Sequence, residues 1–281
     1  MSATASARAW RGVIPLHSTK SEVEKLLGPP NEEEAGYVFE TERAVITYAT
    51  QRCHEDLPGG WNVPQDTVLE VQVFLLKDVV LADLPVNWQT LEQIYSVRTS
   101  RIDYLDAKQG MRYATQDGLV RAITYLASEE DEKKFGCAPY KYAAPVPEGA
   151  KLNRFEQYPF DSYSRIPFED AKVRLDLFAS QLQDTIKARP NSRGFILVYA
   201  GQAAHNAEAK TIAECAKGYL VKVRGADPES IVAVDAGYQN ESQVELYIMP
   251  NDAYPPLLKP TVSPKKIQIL EGAFEPCKDP E

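Results

Sequence analysis

The sequence predicts an α+β protein of two domains, an antiparallel sheet with one short capped helix followed by helices packed on a mixed sheet. Three observations carry this. Residues 10–142 read mostly as alternating strands around a single two-turn helix. Residues 151–250 read as strand, amphipathic helix, strand, amphipathic helix, hairpin. Between them, Ala143-Ala-Pro-Val-Pro-Glu-Gly149 is a Pro/Gly/Ala linker, residues 143–150 in all.

The composition fits that division. At 281 residues the chain can bury about two separate cores. Apolar residues at 44% and charged residues at 25% are ordinary globular values. A net charge of −9 argues against a general nucleic-acid binder, which needs a basic face to neutralise phosphates. The densest apolar stretch, Val68 to Leu84, is broken by Glu70, Gln72, Lys77, Asp78 and Asp83, so no membrane span is expected.

In the N-terminal domain, Thr19-Lys-Ser-Glu22 is a capping box, because the hydroxyl and the carboxylate satisfy orphan amides of the first turn. Val23, Leu26 and Leu27 form its apolar face; Gly28 suits a left-handed cap and Pro29-Pro30 stops the helix. Two turns are unstable alone and must dock on a sheet. Gly36–Glu40 and Arg43–Ala49 read as a hairpin turning at Thr41-Glu42. Thr67–Leu76 alternates, with Val68, Glu70, Gln72 and Phe74 on one face and Leu69, Val71, Val73 and Leu75 on the other. Met111–Ala114 and Leu119–Leu126 add two strands around Asp117-Gly118, a pair that tolerates positive φ. Trp61, in Trp61-Asn-Val-Pro64, is expected to cover the core, and Glu129–Lys134 to be a solvated loop.

In the C-terminal domain, Arg154–Phe160 is a strand candidate and Pro167 opens a helix with Glu169 and Asp170 in its first turn. Ala171, Leu175, Phe178, Leu182 and Ile186 share one face of it. Gly194–Ala200 is a continuous apolar run, as expected of a strand covered on both faces. Ala209, Ile212, Ala213, Ala216, Leu220 and Val223 define a second helix over Glu208–Val223. Ile231–Val234 and Val244–Met249 supply the last strands, and the Pro-rich tail, residues 251–281, is expected to be extended with one short strand within Lys265–Leu270.

Candidate chemistry is sparse. Cys53, Cys137, Cys215 and Cys277 lack close CxxC spacing. Cys53 and Cys137 lie in loop-like stretches at the edges of the first domain; bridging that loop of roughly 84 residues would stabilise by about 3–5 kcal/mol, and two free thiols are the alternative. Cys215 reads as buried filler rather than a nucleophile. His17, His54 and His205 form no metal motif, and no phosphate-cradling loop or nucleophile elbow occurs. No cofactor, metal or catalytic residue is assigned, and a non-enzymatic protein is expected. Met1–Arg8 has no charged-then-apolar leader. Read literally this places the protein in the cytoplasm, and the alternative is a signal missing from this sequence.

Residues Val13 to Phe74, with the Leu26-Leu-Gly-Pro-Pro30 stop, resemble the small outer-membrane lipoprotein fold of the SmpA/OmlA (BamE-like) type, which implies protein–protein contact in an envelope assembly. Phe160-Asp161, Leu175, Gly194-Phe-Ile-Leu-Val-Tyr199, Ala216-Lys-Gly-Tyr-Leu220 and Arg224-Gly-Ala-Asp-Pro-Glu-Ser-Ile231 resemble the OmpA-like domain. That likeness implies non-covalent peptidoglycan binding, in which an aspartate and an arginine hold the stem peptide through paired charges. Here those positions fall at Gly201 and Ile212, so the usual ligand chemistry is absent. Asp161, His205, Asn206 and Lys210 are the remaining polar candidates nearby. Trp10-Arg-Gly-Val-Ile-Pro-Leu16, Trp61-Asn-Val-Pro64 and Val234-Asp-Ala-Gly-Tyr238 together look like uncharacterised acidobacterial-type envelope proteins. This likeness implies export to the periplasm or cell envelope, with a Cys53–Cys137 bridge. The expectation is a structural or interaction protein of the envelope, whose partners are envelope proteins or peptidoglycan. Peptidoglycan binding through non-standard residues and a cytoplasmic enzyme are the alternatives.

Overall fold

The computed structural model describes residues 8–96, 101–148, 150–272 and 274–277. The expectations for residues 1–7, for Gly149 in the linker and for residues 273 and 278–281 of the tail lie outside these. The fold is α+β, and the chain divides into two compact units.

The first unit takes residues up to 54, 59–139 and 154–156. Helix α1 (Lys20–Leu27) has the capping box: the Thr19 hydroxyl accepts from the Glu22 N–H, and the Glu22 carboxylate accepts from the Thr19 N–H at 2.8 Å. Gly28 ends it at φ +81°, a conformation glycine reaches without steric cost. Val23 is fully buried among Trp10, Val13, Tyr37 and Val71, whereas Leu26 faces solvent, so the buried stripe is narrower than its sequence suggests.

Strands β1 (Tyr37–Val38), β2 (Glu42–Tyr48), β3 (Val68–Val80), β4 (Glu92–Ser96), β5 (Arg101–Asp106), β6 (Met111–Gln116), β7 (Leu119–Tyr125) and β8 (Arg154–Phe155) form one sheet. Their order is β1-β2-β3-β7-β6-β5-β4-β8, antiparallel throughout except for the β4–β8 pair. Asp117 and Gly118 both take positive φ in the β6–β7 turn. Strand β3 runs past its expected end, and irregular registers against β2 and β7 break the alternation: Val68, Val71 and Val73 are all buried. Trp61 packs on Leu16, Ala49 and Val63, as expected of a core cover.

Two expectations for this region are corrected, and one pair of strands is new. Glu129–Lys134 is no loop but most of helix α2 (Glu129–Phe135). Ser128 and Asp131 form a reciprocal cap there, four acids sit in its first turn and two lysines in its last, so charge that reads as a solvated run complements the helix dipole. Strands β4 and β5 add a pair before β6 that the strand pattern of the sequence does not predict. Arg154–Phe160 is not one strand, because β8 stops at Phe155 and Pro159, which cannot donate to a ladder, precedes the next strand.

The second unit takes residues 55–58, 140–153 and 157 onward. The Ala143 N–H, at the start of the expected linker, donates to the Pro256 carbonyl at 2.7 Å within this unit. Its elements are β9 (Asp161–Ser164), α3 (Phe168–Ala188), β10 (Arg193–Ala200), β11 (Ala203–His205), α4 (Glu208–Lys222), β12 (Ile231–Tyr238), β13 (Gln243–Met249) and β14 (Gln268–Leu270). The main sheet runs β12-β10-β13-β9, with β10 parallel to β12 and antiparallel to β13. Every residue of β10 from Gly194 to Ala200 is buried. Leu175, Phe178 and Leu182 of α3 and Ala209, Ala213, Ala216 and Leu220 of α4 join one core on the sheet. Val223 is 62% exposed, since α4 stops at Lys222 and the next residue leaves its buried face.

The tail is not a loose extended appendage. Val262 and Ser263 are buried, the Lys259 N–H donates to the Tyr199 hydroxyl at 3.1 Å, and β14 pairs with β11. Cys53 is bonded to Cys137, with Cα atoms 5.6 Å apart. Cys215, expected as filler, is buried but bonded to Cys277. Pairing of β14 with β11 returns the tail to α4, a closure that local sequence does not announce. Two disulfides indicate an oxidising compartment rather than the cytoplasm. Among the described residues, no helix is long and apolar enough to cross a membrane.

Candidate functional site

The second unit contains a cleft of about 640 Å³ between β9, the start of α3 and the face of α4. Ligand sites commonly have this size. Its construction follows from the core pattern. The helical stripe that places Leu175 on the sheet also places Ala171 and Phe168 one and two turns earlier at the open end. On α4, the small residues Ala213 and Ala216 bring the helix close to the sheet and leave Ile212 at the cleft. Tyr163 of β9 and Val244 of β13 are opposite partners in the sheet and close its floor.

Ile212 therefore sits on the cleft wall, at the position the family likeness assigns to an arginine. Gly201 follows β10, and a Cβ there would stand 3.2 Å from the backbone N of Ser242. The glycine lets the β12–β13 turn close against the strand end, and Ser242 itself lines the cleft. Any side chain at residue 201 would need that backbone to give by a few tenths of an ångström. Neither position supplies charge, and the cleft walls are mostly apolar, with Arg165 and Glu275 the charged residues among them.

The other sequence candidates scatter. Asp161 is engaged by Arg174, whose guanidinium donates to both carboxylate oxygens at 2.8 Å and lies over the Tyr163 ring. His205 donates its backbone N–H to Glu208 at 3.0 Å and stacks its ring on Phe274, with centroids 5.3 Å apart. Its Nδ1 is buried without a hydrogen-bond partner among the described residues. Asn206 is exposed, and Lys210 is an exposed partner of Glu214 at 3.9 Å, one turn along α4. None of Asp161, His205, Asn206 and Lys210 lines the cleft.

Residues not singled out in the sequence shape it instead. Arg165 enters the lining, lies 5.1 Å from the Phe274 ring and pairs at 3.5 Å with Glu208, whose side chain is 1% exposed. Glu208 starts α4, where the positive end of the helix dipole favours a buried carboxylate. The preceding Ala207 takes φ +55°, an uncommon conformation for a residue with a Cβ, and turns the chain from β11 into α4. Burial pushes the Tyr163 phenol up to about 12; Asp161 adds to the rise and Arg174 opposes it. The buried hydroxyl of Ser242 has no hydrogen-bond partner among the described residues. Phe274, Glu275 and Pro276 complete the wall from the tail. The one available signal for them was Cys277, an otherwise unexplained cysteine directly after them.

At the far side of α4, Asp176 accepts from the Tyr219 hydroxyl at 2.7 Å and pairs with Arg224. Burial pushes its carboxyl up, but the hydrogen bonds from Arg224 and Tyr219 outweigh this and hold it below the ordinary range. In the first unit Asp103, 2% exposed, is enclosed by Arg101 and Arg112 with Glu156 beside them. The first set ties α3 to the end of α4, and the second holds β5 to its neighbour β6. Among the described residues, no three His, Cys, Asp or Glu side chains cluster to hold a metal. Comparison of the chain with protein-family models, curated proteins and solved structures finds no match in any of the three.

Proposed function

We propose that the chain is a non-enzymatic interaction protein of the cell envelope, with an OmpA-like second domain that has exchanged paired-charge ligand binding for apolar contact. The observation that carries this reading is the cleft. Ile212 lies on its wall and Gly201 beside its rim, so the two places where the likeness requires charge present none, while the space around them stays open and mostly apolar. Two disulfides support an extracytoplasmic setting, for which the periplasm is the proposed site, and weigh against a cytoplasmic enzyme. The first domain, proposed as BamE-like, would supply a further protein-contact surface.

One observation favours a second reading. Arg165 is a cation in the cleft, partly exposed, and a carboxylate of a peptidoglycan stem could compete with Glu208 for it. Co-sedimentation of the purified protein with isolated peptidoglycan sacculi, repeated over a salt titration, separates the two. The apolar-contact reading expects no pelleting above that of a control protein. Pelleting that survives moderate salt and disappears in Arg165→Ala would replace it with the peptidoglycan reading.

A further inference from the structure

Strands β11 and β14 form a two-stranded parallel sheet of their own, with Ala203, Ala204 and His205 opposite Gln268, Ile269 and Leu270. Such a pair is too short to hold itself together. Strand β14 gains little from burial, since Ile269 is 57% exposed. What holds the segment comes after it. The Phe274 ring lies between the His205 ring, stacked at 5.3 Å, and the Arg165 guanidinium at 5.1 Å. Cys277 is then bonded to Cys215 on α4. The cleft and a shallower groove of about 660 Å³ along α4 share Phe168 and Cys215, and Cys277 lines the groove. The tail therefore crosses one furrow between α3 and α4 as a strap.

We propose that the strap is a resident peptide ligand of this furrow. Strand β11 accepts an extended segment, the His205–Arg165 pair clamps an aromatic side chain a few residues further on, and the Cys215–Cys277 bridge retains the chain's own segment against other peptides of that kind. The partner class is thus an extended peptide bearing an aromatic residue, bound by strand addition plus one anchor. A tethered copy competes at an effective concentration on the order of millimolar, so free peptides enter only when the tether opens.

Opening is a dithiol exchange. Cys277 is exposed whereas Cys215 is 8% exposed, so a reductant thiolate attacks the Cys277 sulfur. The Cys215–Cys277 bond breaks and Cys215 leaves as a thiolate that takes a proton. The second thiol of the reductant then displaces Cys277 and closes the reductant's own disulfide, so two electrons pass from the dithiol to the protein.

This proposal rests on the furrow being a contact site, but its test uses a defined peptide; failure to find an envelope partner would refute the functional reading alone. A labelled peptide of residues 268–276 is titrated, by fluorescence anisotropy, into the full-length oxidised protein and into full-length Cys215→Ser/Cys277→Ser/Phe274→Ala. Saturable binding to the variant, none to the oxidised protein, and a loss of about tenfold or more when the peptide itself carries Phe274→Ala are expected. Equal binding to both proteins, or none to a variant whose β10 amides stay protected from hydrogen exchange, overturns it. Should the variant not fold, the wild-type protein decides. Exchange at residues 268–270 should rise about tenfold or more after dithiol treatment while β10 stays protected, and unchanged exchange there overturns the proposal.

Discussion

Gly194→Ala tests whether the second unit is packed as described. Gly194 is the second residue of the central strand β10, where the tips of two α3 side chains come down on it. A Cβ built there stands 2.8 Å from Phe178 Cζ and 2.9 Å from Leu182 Cδ2. Carbon atoms pack at roughly 3.5–4.0 Å, so both contacts overlap by most of an ångström. Phe178 is 0% and Leu182 2% exposed, and neither can swing into solvent. Overpacking of this kind costs about 1–3 kcal/mol. With a urea slope of about 2 kcal/mol per molar, the midpoint should fall by roughly 0.5–1.5 M. The two units can be followed separately. Trp10, Trp61 and Trp88, the chain's 3 tryptophans, all lie in the first unit. Helical circular dichroism is dominated by α3 and α4, with 21 and 15 residues against 8 and 7 in α1 and α2. The substitution should move the helical transition and leave the tryptophan transition in place. Adding Phe178→Leu should recover part of the loss, because these neighbours couple. An unchanged helical midpoint would refute the packing of α3 on β10.

Further predictions address the bridge, the caps and the buried phenols. Cys53→Ala/Cys137→Ala opens a closure across 84 positions and should remove about 3–5 kcal/mol from the first unit, read by tryptophan fluorescence, with the helical signal unmoved. For Asp131, burial pushes the carboxyl up, but the Ser128 and His17 hydrogen bonds outweigh it and leave it below the ordinary range. A depressed folded value contributes stability above the unfolded value, near 4, and loses it as pH falls through the folded one. Asp131→Asn should therefore flatten the acid limb of the first unit's stability curve, and an unaltered limb would count against the cap. Burial, the leading cause, raises Tyr163 and Tyr199 to about 12; Asp161 and Glu245 reinforce it, while Arg174 and the Lys259 N–H oppose it. Raised phenols favour the fold below the unfolded value, near 10, and that advantage fades between about pH 10 and 12. Phenolate absorbance should show the second unit losing stability over that window, and Tyr163→Phe should lessen the loss.

Local rules made much of the fold legible. Thr19 and Glu22 stand three apart, the spacing of a reciprocal cap, and residues 194–200 are apolar throughout because both faces of β10 are covered. Asp117-Gly118 supplies the positive φ its hairpin needs. Failures occurred where distant pairing overrides local pattern. Strand β4 alternates poorly and exists because β5 pairs with it, while the charged run at residues 129–134 is helical through a cap read as ordinary polar sequence. Of the candidate site, Ile212 and Gly201 were located by alignment of the pattern, and the cleft lies at one and beside the other. Arg165 and Ser242 were not, because nothing local to them differs from an ordinary surface, and for Phe274 only the nearby Cys277 gave a hint.

By itself the sequence determined the fold class, both long helices of the second unit with their buried stripes, and the absence of charge at residues 201 and 212. These are properties of spacing and composition, which short-range geometry converts directly into structure. Only the tertiary structure decided that Cys215 pairs with Cys277, that the tail returns over α4, and that an arginine and a histidine from separate segments meet at the Phe274 ring. Such meetings depend on loop closures across tens of residues, whose entropic cost varies only slowly with length. Sequence spacing therefore leaves many closures nearly equivalent, and the packing of the whole unit selects among them.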